Sequence, residues 1–209
     1  MKKKVAIIDY GINNIHSFEK AFKKINVETE IIKNYKDLKN FKYIVLPGVG
    51  SFDSGVKNLT EKGLFDEVIK LSRRGHFILG ICLGMQLLFQ KSEESKKNLF
   101  GLSLLKGNSQ KLKLNQKNSN IKIPHVGWNT INIKNSKKIL QQIDDLSIFY
   151  FIHSFYVNPS DKNIVSATCN HGLEFPVVLE NQNIIGIQFH PEKCQTNGLK
   201  ILKNFVNLN

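Results

Sequence analysis

Three side chains in this sequence have the types and settings needed for nucleophilic attack on a carbonyl. Cys82 lies in Gly80-Ile81-Cys82-Leu83-Gly84, and a Gly-x-Cys-x-Gly spacing fits a sharp strand-to-helix turn in which the glycines prevent side chains from colliding. A thiol raised on such an elbow, at the N-terminus of a helix, is readied for attack because the partial positive charge there favours the thiolate. His190 ends the run Gly186-Ile187-Gln188-Phe189, Pro191 closes it, and Glu192 follows closely enough to orient the imidazole. Cys82, His190 and Glu192 would then divide the roles of nucleophile, proton shuttle and orienting carboxylate. Each has an ordinary alternative: a buried core cysteine, a polar residue at a strand end, and a surface carboxylate paired with Lys193. The two glycines flanking Cys82 weigh against the first.

Delivering these residues requires strands that end together. Val5-Ala6-Ile7-Ile8, Val27 to Ile32, Tyr43-Ile44-Val45-Leu46 and Phe77 to Ile81 are short β-branched runs that read as strands, the last ending at Cys82. Between them Ile15, Phe18, Phe22 and Ile25 recur at spacings of three and four, one face of a helix, and a second helix is predicted over about Leu64 to Leu71. Such alternation implies βα units feeding a parallel sheet. From about Lys111 onward the pattern changes to Phe149 to Ile152, Ile164 to Thr168, Val177 to Leu179 and Ile184 to Phe189, separated by Asn, Gly, Ser and Pro, which favours antiparallel pairing. Leu199, Leu202, Phe205 and Val206 predict a closing helix, and Gln110 to Asn120 a loop or hairpin tip. The expected fold is α/β: one open, mostly parallel sheet flanked by helices, with additional antiparallel β structure in the second half, as a single domain over 1–209.

The chain has 209 residues, enough to bury a substantial core. No apolar stretch approaches the roughly 20 residues of a membrane span, and the apolar run after the basic start stops at Asp9, which leaves no secretion signal. A cytoplasmic location with no membrane partner is expected. The cysteines Cys82, Cys169 and Cys194 form no CxxC pair, which argues against disulfides and a structural zinc site; no metal and no cofactor are expected. The net charge is +13, yet the lysines are dispersed, commonly beside Asn, without a basic stripe or aromatic platform. They read as solvated surface, and nucleic acid is not an expected partner.

GICLGMQ and QFHPEK together resemble the class I, triad-type glutamine amidotransferases, and the resemblance runs along nearly the whole chain. Asp9-Tyr10-Gly11, Leu46-Pro47-Gly48-Val49-Gly50-Ser51-Phe52, Pro124-His125-Val126-Gly127-Trp128-Asn129 and Tyr150-Phe151-Ile152-His153-Ser154-Phe155 narrow it. They are similar to the members that supply ammonia for imidazole glycerol phosphate in histidine biosynthesis. The resemblance implies that Cys82 attacks the side-chain amide of L-glutamine, that His190 moves protons and that Glu192 holds the imidazole. It implies an oxyanion hole from the backbone N–H groups of Val49 and Leu83, and glutamine contacts at Gly50, Gln86, Ser154 and Phe155. It also implies a heterodimer with a cyclase of TIM-barrel fold, with Asn14, Trp128, Asn129, Tyr150 and Lys193 at the interface. Taken alone, Gly48 and Gly50 could mark a tight turn, Gln86 a polar helix residue, and Trp128 a core plug in a loop-like segment. The chain departs from the family in carrying Asn13-Asn14 where Gly-Asn is usual, Val126 for Met, Phe155 for Tyr and Cys194 for Ser; none touches the triad.

Two other readings stay open on sequence. A paralogue of the same subunit could feed a synthase that modifies a surface-polysaccharide sugar, with the same triad. A non-catalytic binding module on this fold is the reading of another class, against which the intact Cys82, His190 and Glu192 count.

Overall fold

The structure, a computed structural model, describes residues 3–11, 14–113, 121–135 and 138–209. The first half is β1 (Lys4–Ile8), α1 (Ile15–Lys24), β2 (Glu28–Ile32), β3 (Tyr43–Leu46), α2 (Phe52–Glu61), α3 (Leu64–Arg73), β4 (Phe77–Ile81) and α4 (Leu83–Leu87). The second half is β5 (Lys91–Ser92), β6 (Gly107–Lys111), β7 (His125–Thr130), β8 (Asn132–Ile133), β9 (Ile148–His153), β10 (Phe155–Pro159), β11 (Val165–Asn170), β12 (Glu174–Asn181), β13 (Ile184–Ile187) and α5 (Gln195–Val206). The main sheet runs β2-β1-β3-β4-β13-β12-β11-β8. Its first five strands are parallel and the rest antiparallel, which is the expected mixed α/β sheet.

Strand alternation divides the core between the two faces of this sheet. Val5, Ile7, Val45, Leu79 and Ile81 pack with α1 and α5, whereas Ala6, Ile8, Ile44, Leu46 and Ile78 pack with α2, α3 and α4. Helix α1 buries Ile15, Phe18, Ala21 and Phe22 and closes on Lys23 and Lys24, whose charges suit a helix C-terminus. Helix α5 buries Leu202, Phe205 and Val206 of the stripe read from the sequence, with Ile201 added to it and Leu199 only partly buried.

Three expectations need correction. Helix α2, capped by the Ser51 side chain accepting the Ser54 N–H, was not anticipated, because its apolar stripe is only Phe52, Val56 and Leu59 and is interrupted by Gly55. The segment His125 to Asn129 is not loop-like: it is strand β7, paired antiparallel with β9. Gln110 and Lys111 lie in β6, paired with β10, so the loop begins later than Gln110, and 114–120 fall outside the described residues.

Candidate active site

Parallel neighbours β4 and β13 finish at the same edge of the sheet, where Ile81 pairs with Ile187 and the Cys82 N–H donates to the Ile187 carbonyl at 2.7 Å. Residues just beyond these two C-terminal ends must meet, the usual location of a site on an open α/β sheet. Cys82 takes φ 54° and ψ −108°, a conformation that costs a non-glycine residue on the order of 1–3 kcal/mol. The tight elbow also explains Gly84, since a Cβ there would stand 1.8 Å from the Leu46 carbonyl oxygen. Helix α4 has only five residues, so the dipole support expected for the thiol reduces to that of one short turn and its free N–H groups.

The triad residues expected from sequence come together. His190, whose N–H donates to the Tyr150 carbonyl at 3.0 Å, presents Nδ1 to Glu192 Oε1 at 2.8 Å. Both side chains are essentially buried. Nε2 has no nitrogen or oxygen partner and faces the sulfur of Cys82. Burial pulls the imidazolium down, but its interactions with Cys82 and Glu192 outweigh that and hold its proton up to about 10. The other cysteines are different: burial pushes Cys169 and Cys194 each up to about 12, so both stay thiols. Cys194 sits under the triad, its S–H donating to the His190 carbonyl and its sulfur accepting the Tyr150 N–H. Its small polar tip explains why a serine position tolerates cysteine.

Above Cys82 opens a cavity of about 330 Å³ lined by Val49, Gly50, Gln86, Glu94, Ser154 and Phe155, with Leu83, Pro124, Ile152 and His153 completing it. That is at the small end for a ligand pocket and gathers every glutamine contact expected from the resemblance. The two expected oxyanion donors are present but not both free. Gly48 turns its carbonyl to the Leu83 N–H at 3.4 Å, while Val49 is exposed. Tyr10 braces this loop, its hydroxyl donating to the Pro47 carbonyl at 2.6 Å, and a Cβ on Gly48 would meet that hydroxyl at 2.3 Å.

Sequence reasoning missed Glu94 and Gln188. Glu94 sits in a polar run that reads as surface, yet it accepts the Phe52 N–H at 2.7 Å and faces the cavity, with burial raising its carboxyl. Gln188, buried just past the end of β13, points Nε2 at the Cys82 sulfur at 3.7 Å. The alternation of Ile187, Gln188 and Phe189 put a polar residue inside and was the signal available. Among the described residues no cluster of His, Cys, Asp and Glu is disposed to hold a metal.

The expected interface residues divide. Trp128 is 57% exposed and stacks edge-on with Tyr150, which also lies 5.0 Å from Lys193 Nζ, so the core-plug reading is excluded. With Val126, Ile148 and Ile152 exposed on the same two strands, they make an apolar patch beside the cavity mouth. Asn14 is exposed at the start of α1. Asn129 instead turns its amide inward, to His125 and to the Asn170 carbonyl.

A mainly parallel sheet with a cysteine on a strand–helix elbow and a histidine–glutamate pair at the next strand's end defines a class I glutamine amidotransferase. The family described as glutamine amidotransferase class-I matches residues 6–208. The chain is 43% identical to "Imidazole glycerol phosphate synthase subunit HisH" of Caldanaerobacter subterraneus subsp. tengcongensis, covering 96% of each. It is 37% identical to the subunit of that name from Bacillus subtilis, covering 98% of this chain and 96% of the relative. The fold is shared with the structure of PurLQS from Thermotoga maritima, at a TM-score of 0.75 and 21% identity over 99% of each chain. The chain belongs to the class I glutamine amidotransferase family, among its HisH subunits of imidazole glycerol phosphate synthase.

Proposed function

We propose that the chain hydrolyses L-glutamine with Cys82 as nucleophile and passes the ammonia to a cyclase subunit. The sulfur of Cys82 attacks the side-chain amide carbon, the proton held between Cys82 and His190 passes from the imidazole to the leaving nitrogen, and a glutamyl thioester and ammonia result. Water activated by His190 then adds to the thioester, the C–S bond breaks, and glutamate leaves. Glu192 orients the imidazole and stabilises its charged form. The observation that carries this reading is His190 tied to Glu192 at 2.8 Å while the same buried imidazole interacts with the side chain of Cys82. Glu94 takes the α-ammonium of glutamine, and Gln86, Gly50, Ser154 and Phe155 hold the rest. The oxyanion is received by the N–H groups of Leu83 and Val49. For that, the Gly48–Val49 peptide must turn over, because its carbonyl holds the Leu83 N–H in the resting site.

The exposed Trp128, Val126, Ile148 and Ile152 lie together on one face of β7 and β9, and Ile152 also lines the cavity, the kind of apolar cluster that suits a partner. We assign it, with Tyr150, Lys193 and Asn14, to a heterodimer interface with a cyclase of TIM-barrel fold, the whole chain acting as one amidotransferase domain in the cytoplasm. Among the described residues no helix is long and apolar enough to cross a membrane. The test is to mix the chain with the cyclase of the same organism, its phosphoribosyl-formimino substrate and glutamine. Imidazole glycerol phosphate and the aminoimidazole carboxamide ribotide are expected; no complex with the cyclase, and instead one with a sugar amidotransferase, would transfer the subunit to the polysaccharide reading.

A further inference from the structure

Two imidazoles are buried beside the glutamine cavity without a part in the triad. His125 and His153 stand directly opposite each other on β7 and β9, both nearly inaccessible, packed among Phe151, Phe175 and His171. An aromatic hydrocarbon would fill this space at no polar cost, so the nitrogens need a reason to be there. Burial pushes His125 down to about 4 and His153 to about 3, so both rings are neutral, each with one N–H and one acceptor nitrogen.

The hydrogen bonds then have one consistent direction. His153 Nδ1 lies 2.9 Å from the Phe155 carbonyl, which only accepts, so Nδ1 carries the proton and Nε2 the lone pair. His125 Nδ1, 3.0 Å from that Nε2, must donate to it, which leaves His125 Nε2 as an acceptor. Asn129 Nδ2 reaches it at 3.3 Å, and the Asn129 amide is fixed in that orientation because its Oδ1 accepts the Thr130 N–H and its Nδ2 also serves the Asn170 carbonyl. At the other end, the Phe155 carbonyl also accepts from Gln86 Nε2 at 3.3 Å. With one amide N–H engaged there, the Gln86 amide is oriented and has its carbonyl oxygen and second N–H for a molecule in the cavity that it lines.

We propose that His125 and His153 are positioning residues: a one-way hydrogen-bond relay from Asn129 through both rings to the Phe155 carbonyl, fixing the Gln86 amide that seats glutamine and tying that seat to the strand bearing Trp128. The inference rests on reading this cavity as the glutamine site. Its role is in binding, so it acts on the Michaelis constant before the turnover number.

The test measures glutamine hydrolysis by the complex with the cyclase for His153→Leu and His153→Asn, alongside alkylation of Cys82 by iodoacetamide, which needs no glutamine seat. Asn places an N–H where Nδ1 was; Leu does not. His153→Leu is expected to raise KM for glutamine about tenfold, the scale of one lost hydrogen bond, with kcat at saturation changed far less. His153→Asn should recover most of that loss, and Cys82 should alkylate at the wild-type rate in both. If His153→Leu does not fold, His125→Asn against His125→Leu gives the same comparison. A wild-type KM for the Leu variant, equal impairment by Asn and Leu, or a loss confined to kcat would overturn the relay. A wild-type complex that does not hydrolyse glutamine would instead remove the reading of the cavity on which the relay depends.

Discussion

At the residue scale the chemistry turns on which groups carry protons. His190 is held in its charged form by Cys82 and Glu192 against the pull of burial. Its stabilising contribution is therefore fully present below the ordinary histidine value of 6.5 and is lost as pH rises towards about 10. Because the imidazole moves the proton and the carboxylate only orients it, His190→Ala should reduce glutamine turnover in the complex by about 10²–10⁴-fold, and Glu192→Gln by less. Wild-type turnover in either variant would remove that residue from the triad. Cys82, His190 and Glu192 were legible in the sequence because a strained elbow and a closed strand end leave few residue choices. Glu94 was not, since only the chain's return past α2 turns a surface-like glutamate towards the cavity.

At the scale of elements, β4 and β13 were legible as apolar runs, and their parallel pairing by itself explains why residues so far apart in sequence meet. What local pattern could not supply was β7: a strand with Gly127 in its middle and alternating exposure pairs with β9 through long-range contacts, and only the pairing shows that Trp128 faces out. The Pro47–Gly50 loop carries the regulatory expectation. Val49 has a Cβ that narrows the backbone choices of its peptide, and the Gly48 carbonyl occupies the Leu83 N–H, so under the proposed assignment of the oxyanion to Leu83 and Val49 one of the two donors is engaged in the isolated chain. Measured alone, it should hydrolyse glutamine about 10²-fold or more slowly than in the complex, the scale of one missing oxyanion donor. Full glutaminase activity without the partner would show that the loop needs no rearrangement.

For the whole molecule, the buried neutral histidines set a pH dependence of folding. His153 falls from an ordinary 6.5 to about 3 in the folded chain, so below pH 6.5 the unfolded chain binds the extra proton and stability falls with pH. At pH 5 this one residue costs about 2 kcal/mol relative to pH 8, and His125 adds in the same direction. Thermal melting should fall from pH 6.5 to 4, where the His190 contribution is already complete, and His153→Asn should flatten the slope whatever its absolute stability; parallel profiles would mean that His153 is not held neutral. The same economy of form governs the site: the ends of β3 and β4 in the main sheet supply one wall of the cavity with Cys82, the ends of β9 and β10 in the two small sheets supply the other, and the exposed apolar patch lies beside them.

The central claim is that Cys82 serves only to release ammonia. Cys82→Ala, reconstituted with the cyclase and its phosphoribosyl substrate, should therefore form no imidazole product from glutamine while forming it from added ammonium salt at the wild-type rate. Continued hydrolysis of glutamine by that variant would contradict the account.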